Sequence, residues 1–226
     1  MTNQPETETL PMALLVQMGP FLDIYTINGK PFTGIAIEHR GNQNNPFDLS
    51  KFKTRTTFKQ GRENGPIEWF YKNGKLKSRS NCINGKQEGP LKQFYKTGQL
   101  RWIGNYKNNK QEGLWEQFHQ NNKLISRSNY NNGNPQGVWK GFHDNGQLSW
   151  IGNYKNNKLE GLWGSFYANG QLRARKNYIN GKLHGLWELY HKSGELHLKT
   201  NYKNGKREGF VEEFSENGQF RSRRNS

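Results

Sequence analysis

From Phe58 onward the chain alternates apolar and polar residues in short runs, and each run stops at a pair of turn-forming residues. Alternation with a period of two is the mark of a strand with one face covered and one face wet. The runs recur in a fixed step. Counting by 24 residues from Phe58 gives seven units without insertion or deletion. Gly65, Gly89, Gly113, Gly137, Gly161, Gly185 and Gly209 share one column, and Asn81, Asn105, Asn129, Asn153, Asn177, Asn201 and Asn225 share another. A third reads Phe70, Phe94, Phe118, Phe142, Phe166, Tyr190, Phe214. Segments 98–115 and 146–163 differ only at 101/149 and 111/159, as duplication of a two-unit block would leave them. Such a period marks a repeat array in which each unit buries its apolar face on its neighbours.

Every unit carries two turn dipeptides, mostly Asn-Gly or Asn-Asn, for example Asn132-Gly133 and Asn145-Gly146. Read as two-residue type I′ turns, they leave two strands of about ten residues per unit. The expected fold is all-β: an elongated, single-layer antiparallel meander of β-hairpins with a 24-residue period. A two-residue turn at Asn73-Gly74 sets Glu68 opposite Arg79, and the same register gives Glu116–Arg127, Glu188–Lys199 and Glu212–Arg223. Where the acidic position becomes Lys92 or Lys140, the facing residue is Ile103 or Ile151, as directly opposed like charges would disfavour. Size compensates as well: Trp69 faces Ser78, Trp139 faces Gly152 and Trp150 faces Gly141. One face is expected to carry Trp115, Trp139, Trp163 and Trp187 with Leu124, Leu148, Leu172, Leu196 and a tyrosine column. The other carries the Phe70–Phe214 ladder beside Lys77, Arg79, Arg101, Arg127, Arg173, Arg175, Lys199, Arg221 and Arg223.

Upstream, TINGKPFTG (26–34) and FKTRTTF (52–58) read as halves of a degenerate unit split by an Asn/Pro-rich insertion near 41–48. The expected organisation is therefore residues 1–24 packing on the first strands, a degenerate first repeat over 25–57, and seven repeats over 58–226. The apolar run Leu10–Leu22 is broken by Pro11, Gln17, Gly19 and Pro20. It falls short of the roughly 20 residues of a membrane span, and the acidic residues before it have the wrong sign for a signal peptide.

Composition sharpens this picture. Hydrophobic residues are only 31%, yet aromatics reach 13%, which a disordered chain would not carry. The core is expected to be made of rings in fixed columns rather than of aliphatics. The net charge of +16 lies wholly in residues 58–226, because residues 1–57 balance five basic against five acidic groups. Such a field attracts an anionic partner: nucleic acid, anionic lipid or an acidic protein surface. A single cysteine, Cys82, excludes an internal disulfide framework and fits a reducing, cytoplasmic setting.

Candidate chemistry is sparse. His119, His143 and His191 share a column with Tyr71, Tyr95 and Tyr167, so they read as half-buried rings rather than bases or ligands. Glu88, Glu112, Glu160 and Glu208 fall near turns and read as hydrogen-bonding partners. No catalytic, cofactor-binding or metal-binding residue is assigned, and a non-enzyme without a small-molecule substrate is expected. Arg101, Arg173, Arg175 and Arg221 lack an acidic neighbour in the hairpin register. With Trp115, Trp139, Trp163 and Trp187 they are the candidate partner contacts, since Trp and Arg are enriched at binding hot spots.

The unit Tyr-x-Asn-Gly-Lys-x-Glu-Gly-Leu-Trp, followed by Phe-Tyr/His-x-Asn-Gly-x-Leu, is read from residues 106–124 and 154–172 with Asn-Asn allowed for Asn-Gly. It resembles the MORN repeat, in the bacterial variant found in the YwqK-like antitoxin family. The resemblance covers 58–226 strongly and 25–57 weakly. It implies a single-layer ribbon of hairpins and a role in protein or lipid binding, with several bacterial relatives acting as antitoxin or immunity partners of secreted toxins. The expected function is thus a monomeric, cytoplasmic protein-binding scaffold that binds and neutralises a cognate toxin. Nucleic-acid or anionic-membrane binding through the basic aromatic face, and a purely structural scaffold, are the alternatives.

Overall fold

The computed structural model describes residues 9–12, 15–17, 25–39 and 52–225. The insertion expected near 41–48, and most of the 1–24 segment, lie outside them. No α-helix forms among the described residues; the regular elements are β-strands joined almost throughout as antiparallel hairpins. The chain divides into two compact units, Met1–Glu112 with Gln120–Asn122, and Gly113–His119 with Lys123–Ser226.

In the first unit, Gly34–His39 pairs with Phe52–Lys59, which pairs with Arg62–Phe70, which pairs with Leu76–Ile83. The last of these meets Gly89–Phe94, itself paired with Leu100–Lys107. Thr9–Pro11 lies parallel to Gly34–His39, and Phe32, Ala36 and Phe58 form a small closed core. Leu10, Met12, Leu15, Tyr25 and Ile27 pack against that core. The second unit repeats one hairpin, from Gly113 to Phe118 against Leu124–Asn131 through to Lys206–Phe214 against Phe220–Asn225.

The hairpin register is the expected one. Glu68 faces Arg79, Glu116 faces Arg127, Trp69 faces Ser78, and Trp139 and Gly141 face Gly152 and Trp150. The turns are of two kinds, however, and only one is the two-residue turn that the sequence led us to expect. At Asn84-Gly85, Asn132-Gly133 and Asn180-Gly181 both residues have positive φ, between 51° and 81°, as a type I′ turn requires. At Asn145-Gly146 only Gly146 does, at 86°. There the His143 and Gly146 amides donate to Gln147 O and His143 O, both at 2.8 Å, closing a three-residue loop. Asn145 stays out of the left-handed region and its Oδ1 instead accepts from the Gln147 amide at 3.0 Å. The extra residue is absorbed by a bulge between Gly141 and Phe142. Strands are consequently shorter than the expected ten or so residues, Gly137–Phe142 and Leu148–Lys155 being six and eight.

The bulge also corrects the assignment of faces. Past it, Leu148 pairs with Phe142, Leu172 with Phe166 and Leu196 with Tyr190, so the leucine column lies beside the phenylalanine ladder and not with the tryptophans. A second irregularity follows each type I′ turn. Between Tyr154↔Leu159 and Ile151↔Gly164 the pairing slips by two residues, at a glycine (Gly161) with φ of 77°. That slip carries each row of side chains from one hairpin into the next.

Packing across the rows is tight. A Cβ on Gly141 would overlap the Trp150 indole at Nε1, and one on Gly152 would lie 2.7 Å from Trp163 Cδ1. A Cβ on Gly164 meets nothing nearer than 3.5 Å. Gly141→Ala and Gly152→Ala should therefore lower stability by about 1–3 kcal/mol in urea denaturation. Gly164→Ala should be neutral or stabilising, by up to about 1 kcal/mol, because a strand glycine gives up more chain entropy than alanine.

Candidate functional site

The two faces of each sheet have different characters. On the tryptophan face, one repeat position holds Ile67 and Leu91 in the first unit and Trp115, Trp139, Trp163, Trp187 and Val211 in the second. Several of its members are faced by small side chains: Ser80 opposite Ile67, Ser128 opposite Trp115 and Thr200 opposite Trp187. Tyrosines fill the next row. Ring centroids follow one another at 6.2 Å for Trp115–Tyr130, 5.2 Å for Tyr130–Trp139 and 4.7 Å for Trp139–Tyr154. Trp115 is only 4% exposed, so its contribution is packing; Trp139, Trp163 and Trp187 are half-buried and keep an accessible edge.

The opposite face carries a charged row. In the first unit Glu68 lies 3.6 Å from both Arg55 and Arg79. In the second, Glu116 meets Arg127 at 2.6 Å, Glu188 meets Arg175 at 2.6 Å, and Glu212 is held by Lys199 at 2.7 Å and by Arg223. Arg175 was expected to lack an acidic neighbour. It has one because the row continues past its own hairpin partner, Gly164, to Glu188 of the next repeat. Glu188 raises the Arg175 guanidinium further above its ordinary value. The other three arginines remain outside this row. Arg101 and Arg173 lie over the Tyr95 and Tyr167 rings, at 5.7 and 6.0 Å, and Arg221 borders a hollow with His191, Glu216 and Phe220.

Groups that resemble catalytic residues have structural duties. His143 Nε2 meets Phe166 O at 2.9 Å and Tyr167 Oη donates to Tyr190 O at 2.8 Å, each tying its repeat to the following one. Glu88 and Glu160 accept from the Asn108 and Asn180 amides at 2.8 Å, capping turns as their place in the repeat suggested. Cys82 is buried, and burial together with Glu63 pushes its thiol up to about 11, far from a nucleophile's range. Among the described residues no set of three or more His, Cys, Asp or Glu could hold a metal ion.

One column escaped the sequence reading. Leu114, Val138, Leu162, Leu186 and Phe210 stand on the phenylalanine face one residue before the buried column, and they are between 42% and 69% exposed. They recur every two strands, a spacing of about 9–10 Å. Beneath Val138 and Leu162, an apolar hollow of about 320 Å³ is lined by Ile151, Phe166 and Leu172 and edged by Arg175. Single exposed apolar residues need no explanation, but a contiguous row of them marks an interaction surface. The 24-residue period was the available signal; adjacent apolar columns of opposite parity belong to opposite faces.

The Lys199 and Arg223 side chains hold the Glu212 carboxyl below its ordinary value. A lowered folded pKa means stability that is present above the unfolded value of about 4.3 and is lost as pH falls through the folded one. Acid titration followed by circular dichroism should show that limb for the native chain, and Glu212→Gln should remove part of it.

A family model described as MORN repeat variant matches residues 63–84, 87–108, 111–132, 135–156, 159–180 and 183–204. No curated protein matches the chain. Among solved structures, a chain from the crystal structure of a GtfA/B complex bound to UDP and GlcNAc is similar at 11% identity and a TM-score of 0.16. The similarity covers 82% of this chain and 25% of that one, so the chain spans about a quarter of that chain's length.

Proposed function

The chain belongs to the MORN repeat variant family, a repeat scaffold for binding, and we propose that it is a non-enzymatic protein-binding member of it. Most concretely, it is a cytoplasmic, monomeric antitoxin or immunity protein of the YwqK-like kind that covers the active surface of a cognate toxin. The observation that carries this reading is the exposed row Leu114, Val138, Leu162, Leu186 and Phe210 beside a charged row rich in Arg and Lys. An apolar strip rimmed by cations fits a partner surface with apolar anchors and acidic edges, the arrangement that gives both hot spots and steering. Leu162 is the most exposed member of the row. Leu162→Asp should leave the melting temperature unchanged while lowering recovery of the partner in affinity purification by about tenfold or more, since one anchor is worth about 2 kcal/mol. Equal recovery by both proteins, or purification that brings down no protein partner, would sink the proposal.

A second reading, nucleic-acid or anionic-membrane binding through the same face, has its own supporting observation. Arg127 faces Lys140 and Arg79 faces Lys92 across neighbouring hairpins, like charges that a bound polyanion would relieve. That reading requires affinity for duplex DNA or anionic vesicles to fall steeply with salt, linearly in log–log form for DNA. A salt-insensitive complex favours the protein partner.

A further inference from the structure

We propose that the fifth repeat binds a phosphate group on its tryptophan face, held by Lys176 and Arg173. The proposal does not rest on the protein-binding reading and concerns the opposite face of the sheet. The row that faces the buried column is small at Ser80, Gly104, Ser128, Gly152 and Thr200. It holds a cation at two places, Lys176 opposite Trp163 and Arg224 opposite Val211. Arg224 is answered inside its own repeat by Glu213, at 2.6 Å. The residue that occupies the place of Glu213 in the fifth repeat is Ser165. The other repeats hold Trp69, Gln93, Gln117, Gly141 and Leu189 there, so Lys176 shares the place of Arg224 without the carboxylate that Arg224 meets.

The surroundings of Lys176 fit that vacancy of charge. Its Nζ lies 4.8 Å from the centre of the Trp163 ring and 5.5 Å from that of Trp187, which fixes the ammonium group in place. Burial first and the Arg173 charge second push the ammonium below its ordinary value, so an added anion would be welcomed by both. A hollow of about 350 Å³ opens beside it, bordered by Arg173, His143, Ser149, Ser165 and Trp163, and no Asp or Glu lines it. The His143 ring is anchored by its contact with Phe166 O. Two cationic side chains and two serines line the same hollow. A tetrahedral dianion can accept from all of these donors at once, whereas one carboxylate would be satisfied by the lysine alone.

The test titrates the full chain with pyrophosphate and follows tryptophan fluorescence and melting temperature. Lys176→Met keeps an apolar stem between the rings, and Ser165→Glu restores the carboxylate that Glu213 supplies elsewhere. The native chain should show a saturable fluorescence change and a rise in melting temperature. Both variants should bind at least about tenfold more weakly, the loss of one charge-assisted hydrogen bond. Ser165→Glu should in addition melt higher than the native chain without ligand, while Arg101→Gln should bind as the native chain does. The proposal is overturned if the native chain does not respond, if both variants respond as it does, or if acetate competes as well as phosphate. It is equally overturned if vesicles containing phosphatidic acid bind and pyrophosphate does not, because the site would then be reading a membrane surface and not a phosphate group.

Discussion

A sheet built from hairpins whose main strands are six to nine residues long, without a helical layer among its described residues, can bury a side chain only beneath its neighbours in the same row. Register is then the constraint on which everything else depends, because a slip of one residue would exchange the two faces. The left-handed residues of the type I′ turns fix that register at one end of each hairpin, and the bulged three-residue loops fix it at the other. Once it is fixed, Trp163 lies against Gly152 and Trp150 against Gly141 with no room for a methyl group, so large rings are buried where glycines make space for them. The same register brings Glu68 between Arg55 and Arg79. Each such exposed pair contributes only about 0.2–1 kcal/mol, so the charged row adjusts the pairing and does not drive it.

Much of this was legible because a repeat supplies its own controls. The covariation of Glu68 with Arg79, and of Lys140 with Ile151, revealed the register before any coordinates did, and the family match follows the same step of 24 residues. Two features were not legible. The Asn-Gly dipeptide serves two turn types, and what separates Asn132-Gly133 from Asn145-Gly146 is whether the asparagine enters the left-handed region or turns its amide oxygen onto the chain. The bulge that accompanies the second type moved the leucines to the other face. The two-residue slip at Gly161, which recurs at Gly185, likewise leaves no trace in a single hairpin. That is why Arg175, without a partner in its own repeat, proved to be paired in the next.

The candidate surfaces show a similar division. An arginine without an acidic partner in its own hairpin, such as Arg175, can still be paired where its row continues into the next. Leu114, Val138, Leu162, Leu186 and Phe210 were overlooked because an apolar column in an aromatic-rich chain reads as core. Parity alone separates them from the buried column one residue away. An apolar residue beside a tryptophan in sequence lies on the opposite face of the strand, where nothing covers it.

Differences among units that are otherwise nearly copies then carry the most information. In a repeat array stability is approximately a sum of nearest-neighbour terms, so one unit can give up internal pairing at a local and bounded cost. The fifth unit does so on both faces. It has Gly164 where other repeats place Glu116, Glu188 or Glu212, and Ser165 where the last repeat places Glu213. On one face the change leaves Arg175 to the neighbouring repeat and opens the apolar hollow beside Leu162. On the other it leaves Lys176 between two tryptophans without the carboxylate that Arg224 enjoys. The first of these places is acidic in four of the other six repeats, at Glu68, Glu116, Glu188 and Glu212, whereas the second is acidic only in the last, at Glu213. Both places are uncharged in the repeat that also exposes the largest fraction of its apolar anchor, Leu162.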